Sequence, residues 1–265
     1  LLAAGIWLPS LLGIVVLIRP ARVLIAKKIP IDPDSPVDAV ALSFTMLVII
    51  NLMVTLGVGL DNLANLMEMQ GTDDDTVTTI VSLWAQQIAM AITAAVGVGW
   101  LTRKKWRLSF LRLGLEWPTG RQSLLGLVTG LALVPVVILV EFGTSELLGI
   151  QVDQDVERLT EELLGAMFES PWGIATLGLA AALGEEPLFR GAAQPKFGIL
   201  LTSILFALLH SNYGITLATG VVFFLGIVLG LIRLRYNTST AMITHAVYNI
   251  SLGLLAYWSI SFFEP

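Results

Sequence analysis

The chain runs in long apolar stretches separated by short polar connections. A hydrocarbon core of about 30 Å takes roughly 20 helical residues to cross. Eight runs approach that length: Leu1–Ile18, Val37–Leu60, Val77–Leu101, Ser123–Val140, Pro171–Arg190, Gly198–Tyr213, Ile215–Ile232 and Thr238–Ser259. The pattern predicts an all-α, polytopic membrane helix bundle with about eight transmembrane helices. It divides into N-terminal membrane helices with an interfacial loop (1–122) and a C-terminal helix bundle (123–265), the two forming one integral membrane unit. Leu1–Ile18 reads as a span rather than a signal peptide, because its Arg-bearing flank follows the apolar run and no small-residue cleavage site appears. The sixth and seventh runs are joined only by a tight turn at Asn212-Tyr213-Gly214.

Asp61–Thr76 and Gly149–Ser170 read as the longest exposed connections on one side, Arg19–Pro36 and Thr102–Gln122 as their counterparts on the other. In the last of these, Trp106, Phe110, Leu113 and Trp117 alternate with Arg and Lys. That fits a segment lying at headgroup level, and it equally fits an ordinary charged loop.

Composition strengthens the membrane reading. Hydrophobic residues make up 55% of the chain and charged ones 13%, against about a quarter charged in a soluble domain, and the mean hydropathy is +0.82. Charge is scarce because it is costly in hydrocarbon. A net charge of −5 offers no basic surface to nucleic acid, which is set aside as a partner. With no Cys, disulfides and thiolate metal sites are excluded.

Eight spans would put alternate connections on one side. One set then holds 14 of the 15 Lys and Arg residues, including Arg19, Lys28, Arg103, Lys105, Arg190, Lys196 and Arg233, and the other holds only Arg158. The positive-inside rule places the first set in the cytoplasm and both termini outside. The expected location is a bacterial cytoplasmic (inner) membrane, multi-pass, with any site accessible from the cytoplasmic half.

Three polar groups interrupt the apolar runs. The first is Gly184-Glu185-Glu186-Pro187-Leu188-Phe189-Arg190-Gly191. Adjacent helical residues point about 100° apart, so the two carboxylates serve different ends. Arg190 stands four residues after Glu186, at ion-pair spacing on one helix face, which leaves Glu185 to face a cavity. Pro187 cannot donate to the carbonyl of Leu183 and should loosen the helix there. The bland reading is a helix end reaching the headgroups, where both charges are merely solvated. The second group is Phe206-Ala-Leu-Leu-His210 and the third His245-Ala-Val-Tyr-Asn249, with His245 and Asn249 on one face. A lone membrane histidine is often only hydrogen-bonded to a neighbouring helix, but both histidines of this chain lie inside apolar runs.

At 1.5 Å per residue, Glu185, His210, His245 and Asn249 fall roughly 15, 18, 10 and 16 Å from the face expected to be cytoplasmic, so they can share one layer. A carboxylate beside an imidazole can deprotonate a water, and a second His with an Asn can stabilise the oxyanion of a tetrahedral intermediate. Alternatively, Glu185, His210 and His245 could hold zinc with an open position for water. Either set hydrolyses an acyl bond, and the His-Glu-x-x-His run of common zinc peptidases is absent.

At these residues the sequence resembles the CPBP family, which comprises the type II CAAX prenyl endoproteases and their bacterial relatives, bacteriocin-processing and immunity proteins among them. Glu185-Glu186-x-x-x-Arg190, Phe206-x-x-x-His210 and His245-x-x-x-Asn249 match its three motifs in order, and the resemblance runs from about Trp172 to Trp258. The resemblance implies an intramembrane endopeptidase with Glu185 as the water-activating base, His210 as its partner, and His245 with Asn249 on the oxyanion. Glu186, Arg190 and Phe206 would support the site. The family carries a metalloprotease label, yet the resemblance implies a glutamate-dependent site with no cofactor, zinc being the alternative. The implied partners are the lipid bilayer and a membrane-associated peptide or protein substrate; nothing identifies partner subunits. The competing readings are a non-catalytic scaffold or immunity-type protein that keeps the motifs, a haem protein with His210 and His245 as axial ligands, and a transporter. The haem reading gives the Glu pair no role, and a transporter's internal repeat is not seen.

Overall fold

The computed structural model describes residues 2–70, 76–101, 104–149, 153–210, 212 and 214–263. They form twelve α-helices and one π-helical segment: α1 (Leu2–Val15), α2 (Arg19–Ile25), α3 (Pro36–Val58), α4 (Leu60–Gln70), α5 (Thr76–Gly97), α6 (Trp106–Leu113), α7 (Gly120–Leu148), α8 (Gln154–Phe168), α9 (Pro171–Glu186), the π segment (Pro187–Ala193), α10 (Gln194–Leu209), α11 (Leu217–Arg235) and α12 (Thr238–Phe263). Among the described residues there is no strand, only a lone bridge between Trp100 and Lys104. The main helix pairings are α1 with α3, α5 with α9, α12 with both α7 and α9, and α10 with α11.

The burial pattern is that of a protein in lipid. Leu47, Val81, Ile88, Leu124, Leu131, Leu139, Leu200 and Leu234 all face outward, while Gln87, Arg190, Thr202, Ser203, Thr240 and Thr244 are buried between helices. In hydrocarbon, outward-facing Leu costs nothing, and polar groups are best satisfied inside the bundle. The protein is an integral membrane protein.

The span count differs from eight. Among the described residues, five helical stretches are long and apolar enough to cross: Pro36–Val58, Thr76–Gly97, Gly120–Leu148, Pro171–Leu209 and Leu217–Arg235; α1 and α2, bent by 101°, would make a sixth if they form one broken span. Three elements account for the difference. Helix α1 is only 14 residues long. The fifth and sixth runs join through the π segment into one helical stretch. Helix α12, 26 residues long, is not among the stretches that qualify.

Pro171–Leu209 is nevertheless not a straight rod. Residues 189 and 206 would stand about 25 Å apart along one helix, yet the rings of Phe189 and Phe206 meet with centroids 5.2 Å apart. The chain folds back on itself between them. Gly198, at φ 74° and ψ 174°, supplies a backbone geometry that residues with a Cβ rarely adopt. On one side of this break Lys196 ion-pairs with buried Asp38 at the start of α3. Phe197 packs on Val16, Ile31 and Leu42.

Two stretches expected as exposed connections contain helices packed on one another, α4 and α8. Arg158 of α8 holds Asp61 at 3.0 Å and Asn65 at 2.8 Å, and Asp153 caps the α8 N-terminus. The turn expected at Tyr213 lies outside the described residues. Helix α6 is tied beneath the bundle: Thr238 donates from N to the Gly114 carbonyl at 3.0 Å and from Oγ1 to the Leu113 carbonyl. Trp106, Leu108 and Phe110 on α6 stay exposed.

Small residues set the close approaches. A Cβ on Gly178 would lie 2.5 Å from Ile250 Cγ1 and 2.8 Å from the Ala246 carbonyl oxygen, so α9 and α12 meet where α9 has no side chain. Gly178→Ala should cost about 1–3 kcal/mol, read as a lower unfolding temperature in detergent. Unchanged stability would mean that the two helices can separate freely.

Candidate active site

The Glu pair ends α9, and the chain then passes into π geometry at Pro187. A missing N–H at residue 187 breaks the α-type ladder locally, and π turns relieve such breaks. The loosening expected from Pro187 is therefore present as the π segment, with Arg190 inside it.

Glu186 and Arg190 are both fully buried, joined at 3.2 Å between Oε2 and Nε. Arg190 is thus part of the interior, and its earlier count among cytoplasmic loop charges does not hold. The other oxygen of Glu186 accepts from His245 Nδ1 at 2.9 Å. The guanidinium carbon of Arg190 also lies 4.7 Å from the centroid of the Phe206 ring, within cation–π range.

Phe206 is the meeting point of the three motifs. Its ring contacts Arg190, stands edge-on to His210 at 5.0 Å and edge-on to His245 at 6.1 Å. His210 lies one residue beyond α10, with φ −88° and ψ 43°, rather than within a span. Its Nδ1 is 2.9 Å from the Phe206 carbonyl, one of the orphan acceptors at a helix end. A carbonyl only accepts, so Nδ1 donates there. Asn249 follows His245 by one turn of α12 and is half-buried.

Glu185, 6% exposed, accepts from Gln87 Nε2 of α5 at 3.2 Å through Oε1. Its Oε2 is buried with no hydrogen-bond partner among the described residues. Glu185 thus rests against α5. Gln87 is the site neighbour that the motifs do not announce. The one signal for it in the sequence is Gln86-Gln87 within an otherwise apolar run.

Residues 167–251 match the family model described as Type II CAAX prenyl endopeptidase Rce1-like. This segment is similar to the CPBP/CAAX protease family. The matched stretch is about a third of the chain; it carries all three motifs, and the family is one of proteases, hence of hydrolases. No curated protein and no solved structure matches the chain. The helices before residue 167, including α5 and its Gln87, lie outside the Rce1-like match.

Among the described residues no three His, Cys, Asp or Glu side chains come close enough together to hold a metal ion.

Proposed function

We propose that this protein is a CAAX-type intramembrane endopeptidase in which Glu185 and His210 activate a water. His245 and Asn249 then stabilise the oxyanion. The observation that carries the reading is the convergence of Arg190, His210 and His245 on Phe206 beside a buried carboxylate pair. Structural polar residues scattered through a bundle have no need to share a centre.

In the proposed reaction, Glu185 Oε2 and His210 Nε2 hold the water, and Glu185 takes its proton as oxygen attacks the scissile carbonyl carbon. The carbonyl oxygen becomes an oxyanion facing the Asn249 amide and His245 Nε2. His245 donates there as imidazolium, its charge balanced by Glu186. When the intermediate collapses, the C–N bond breaks and Glu185 returns the proton to the amine. Glu186 and Arg190 position His245 and the π segment. The proposed substrate is a membrane-held peptide, tested with a farnesylated peptide ending in Cys-aliphatic-aliphatic-X.

The purified protein in liposomes should cleave that peptide, with fragments read by mass spectrometry. His210→Ala should slow cleavage by about 10²–10⁴-fold, and a His210 variant at wild-type rate would remove it from the mechanism. Protein purified without chelator should carry well under one equivalent of zinc and keep its activity when free metal is removed. Stoichiometric zinc, lost together with activity in His210→Ala and His245→Ala, would reverse the metal-free assignment.

We place the basic connections on the cytoplasmic side. With Arg190 set aside, the connections on either side of α7 still differ: Lys104, Lys105, Arg107, Arg112 and Arg121 lie around α6 against Arg158 alone on α8, which favours that orientation. The chain has no Cys, so single cysteines report it cleanly. Glu162→Cys should react with a membrane-impermeant thiol reagent on intact cells, and Lys105→Cys should react only after lysis. The opposite pattern would invert the protein.

A further inference from the structure

Helix α5 meets α9 at Gly184, immediately before the Glu pair. A Cβ on Gly184 would stand 2.6 Å from the Gln87 carbonyl oxygen and 2.8 Å from its Cα. The glycine therefore lets the α5 backbone approach closely, and the residue delivered to that point is Gln87. Its side chain is buried, whereas its neighbour Gln86 is exposed. An amide in mid-span is costly unless it finds a partner, and the partner here is Glu185, at 3.2 Å.

We infer that Gln87 is a positioning residue for Glu185, contributed by a helix outside the segment that matches the protease family. The amide donates to Oε1 and so fixes the plane of the carboxylate. Oε2 is thereby turned toward the reacting water. A carboxylate at the end of α9, next to a π segment, otherwise has rotamer freedom about three side-chain bonds, and a misplacement of about 1 Å of a reacting group costs on the order of 100-fold in rate. The α5–α9 contact thus makes the N-terminal half part of the site. The role rests on Glu185 acting as the base, but the hydrogen bond itself can be tested without any turnover.

The test uses full-length protein in liposomes with Gln87→Leu, Gln87→Asn and, as control, Gln86→Leu. The infrared difference between wild type and Glu185→Gln isolates the carboxyl bands of Glu185. Gln87→Leu should shift those bands and Gln86→Leu should leave them in place; bands unmoved by Gln87→Leu would overturn the inference. With the farnesylated Cys-aliphatic-aliphatic-X peptide, Gln87→Leu should lower kcat by roughly 10- to 100-fold while KM stays near wild type. Gln87→Asn keeps the amide on a shorter arm and should recover part of the loss. A raised KM with kcat unchanged, or a loss traced wholly to a lower unfolding temperature, would make Gln87 a packing residue and sink the proposal. If wild type itself fails to cleave the peptide, the proposed reaction fails for that substrate, and the infrared shift still decides whether Gln87 holds Glu185.

Discussion

Glu186→Gln should destabilise the protein by about 3–5 kcal/mol, the usual cost of stranding one partner of a buried ion pair. Arg190 is fully buried, its Nε is bound to Glu186, and its two terminal nitrogens have no acceptor among the described residues. A neutral amide could still accept one hydrogen bond, but it cannot balance the guanidinium charge. The same substitution removes the anion facing His245 Nδ1, so the end of α9, the π segment and α12 all lose a shared anchor. The effect should appear as a markedly lower unfolding temperature in detergent and lower yield in the membrane. Pairing Glu186→Gln with Arg190→Met should recover much of the loss, because removing both charges leaves neither one stranded. A double variant no more stable than the single would show that the Glu186–Arg190 pair is not the source of the effect.

Glu185→Gln should act in the opposite sense, abolishing cleavage while leaving insertion and stability nearly intact. Glu185 makes one hydrogen bond, to Gln87, and no ion pair among the described residues. A Gln in its place keeps shape and volume, and it can still accept from Gln87. What it cannot do is take a proton from water, and loss of a general base costs about 10²–10⁴-fold. The adjacent carboxylates thus separate by readout, stability for Glu186 and turnover for Glu185. The helix imposes this division, since side chains about 100° apart meet different neighbours.

Much of this arrangement was legible in the sequence. The spacing of Glu186 and Arg190 gave their pairing, and Pro187 gave the irregular helix after them. The rarity of polar residues inside apolar runs singled out His210, His245 and Asn249. Contacts between distant helices were less accessible. The bond from His245 to Glu186 spans 59 positions, and the i, i+4 pattern of His245 and Asn249 shows their shared face without showing what that face meets. Gln86 and Gln87 look alike in a run that is apolar on every side, so sequence cannot tell which of them faces the bundle. Arg190 entered the topology count as a loop charge because counting Lys and Arg cannot distinguish a solvated residue from a paired one. The connections Asp61–Thr76 and Gly149–Ser170 are too acidic to read as spans, yet Asp153 as a cap and Val156 and Leu159 on one face of α8 mark an amphipathic helix. The span count failed where length alone was weighed. Two runs that fold back on one another yet share one continuous helical stretch, Pro171–Leu209, are not separable by counting apolar residues.

The central claim is that Glu185 activates water to cleave a peptide held in the membrane. Its most direct test is mass spectrometry of the farnesylated Cys-aliphatic-aliphatic-X peptide incubated in liposomes with wild type and with Glu185→Gln of matched unfolding temperature, in water enriched in ¹⁸O. The expected result is a fragment from the wild type carrying ¹⁸O in its new carboxyl group, with at least about a hundredfold less from the variant. Equal fragment yields from the two proteins would contradict the account.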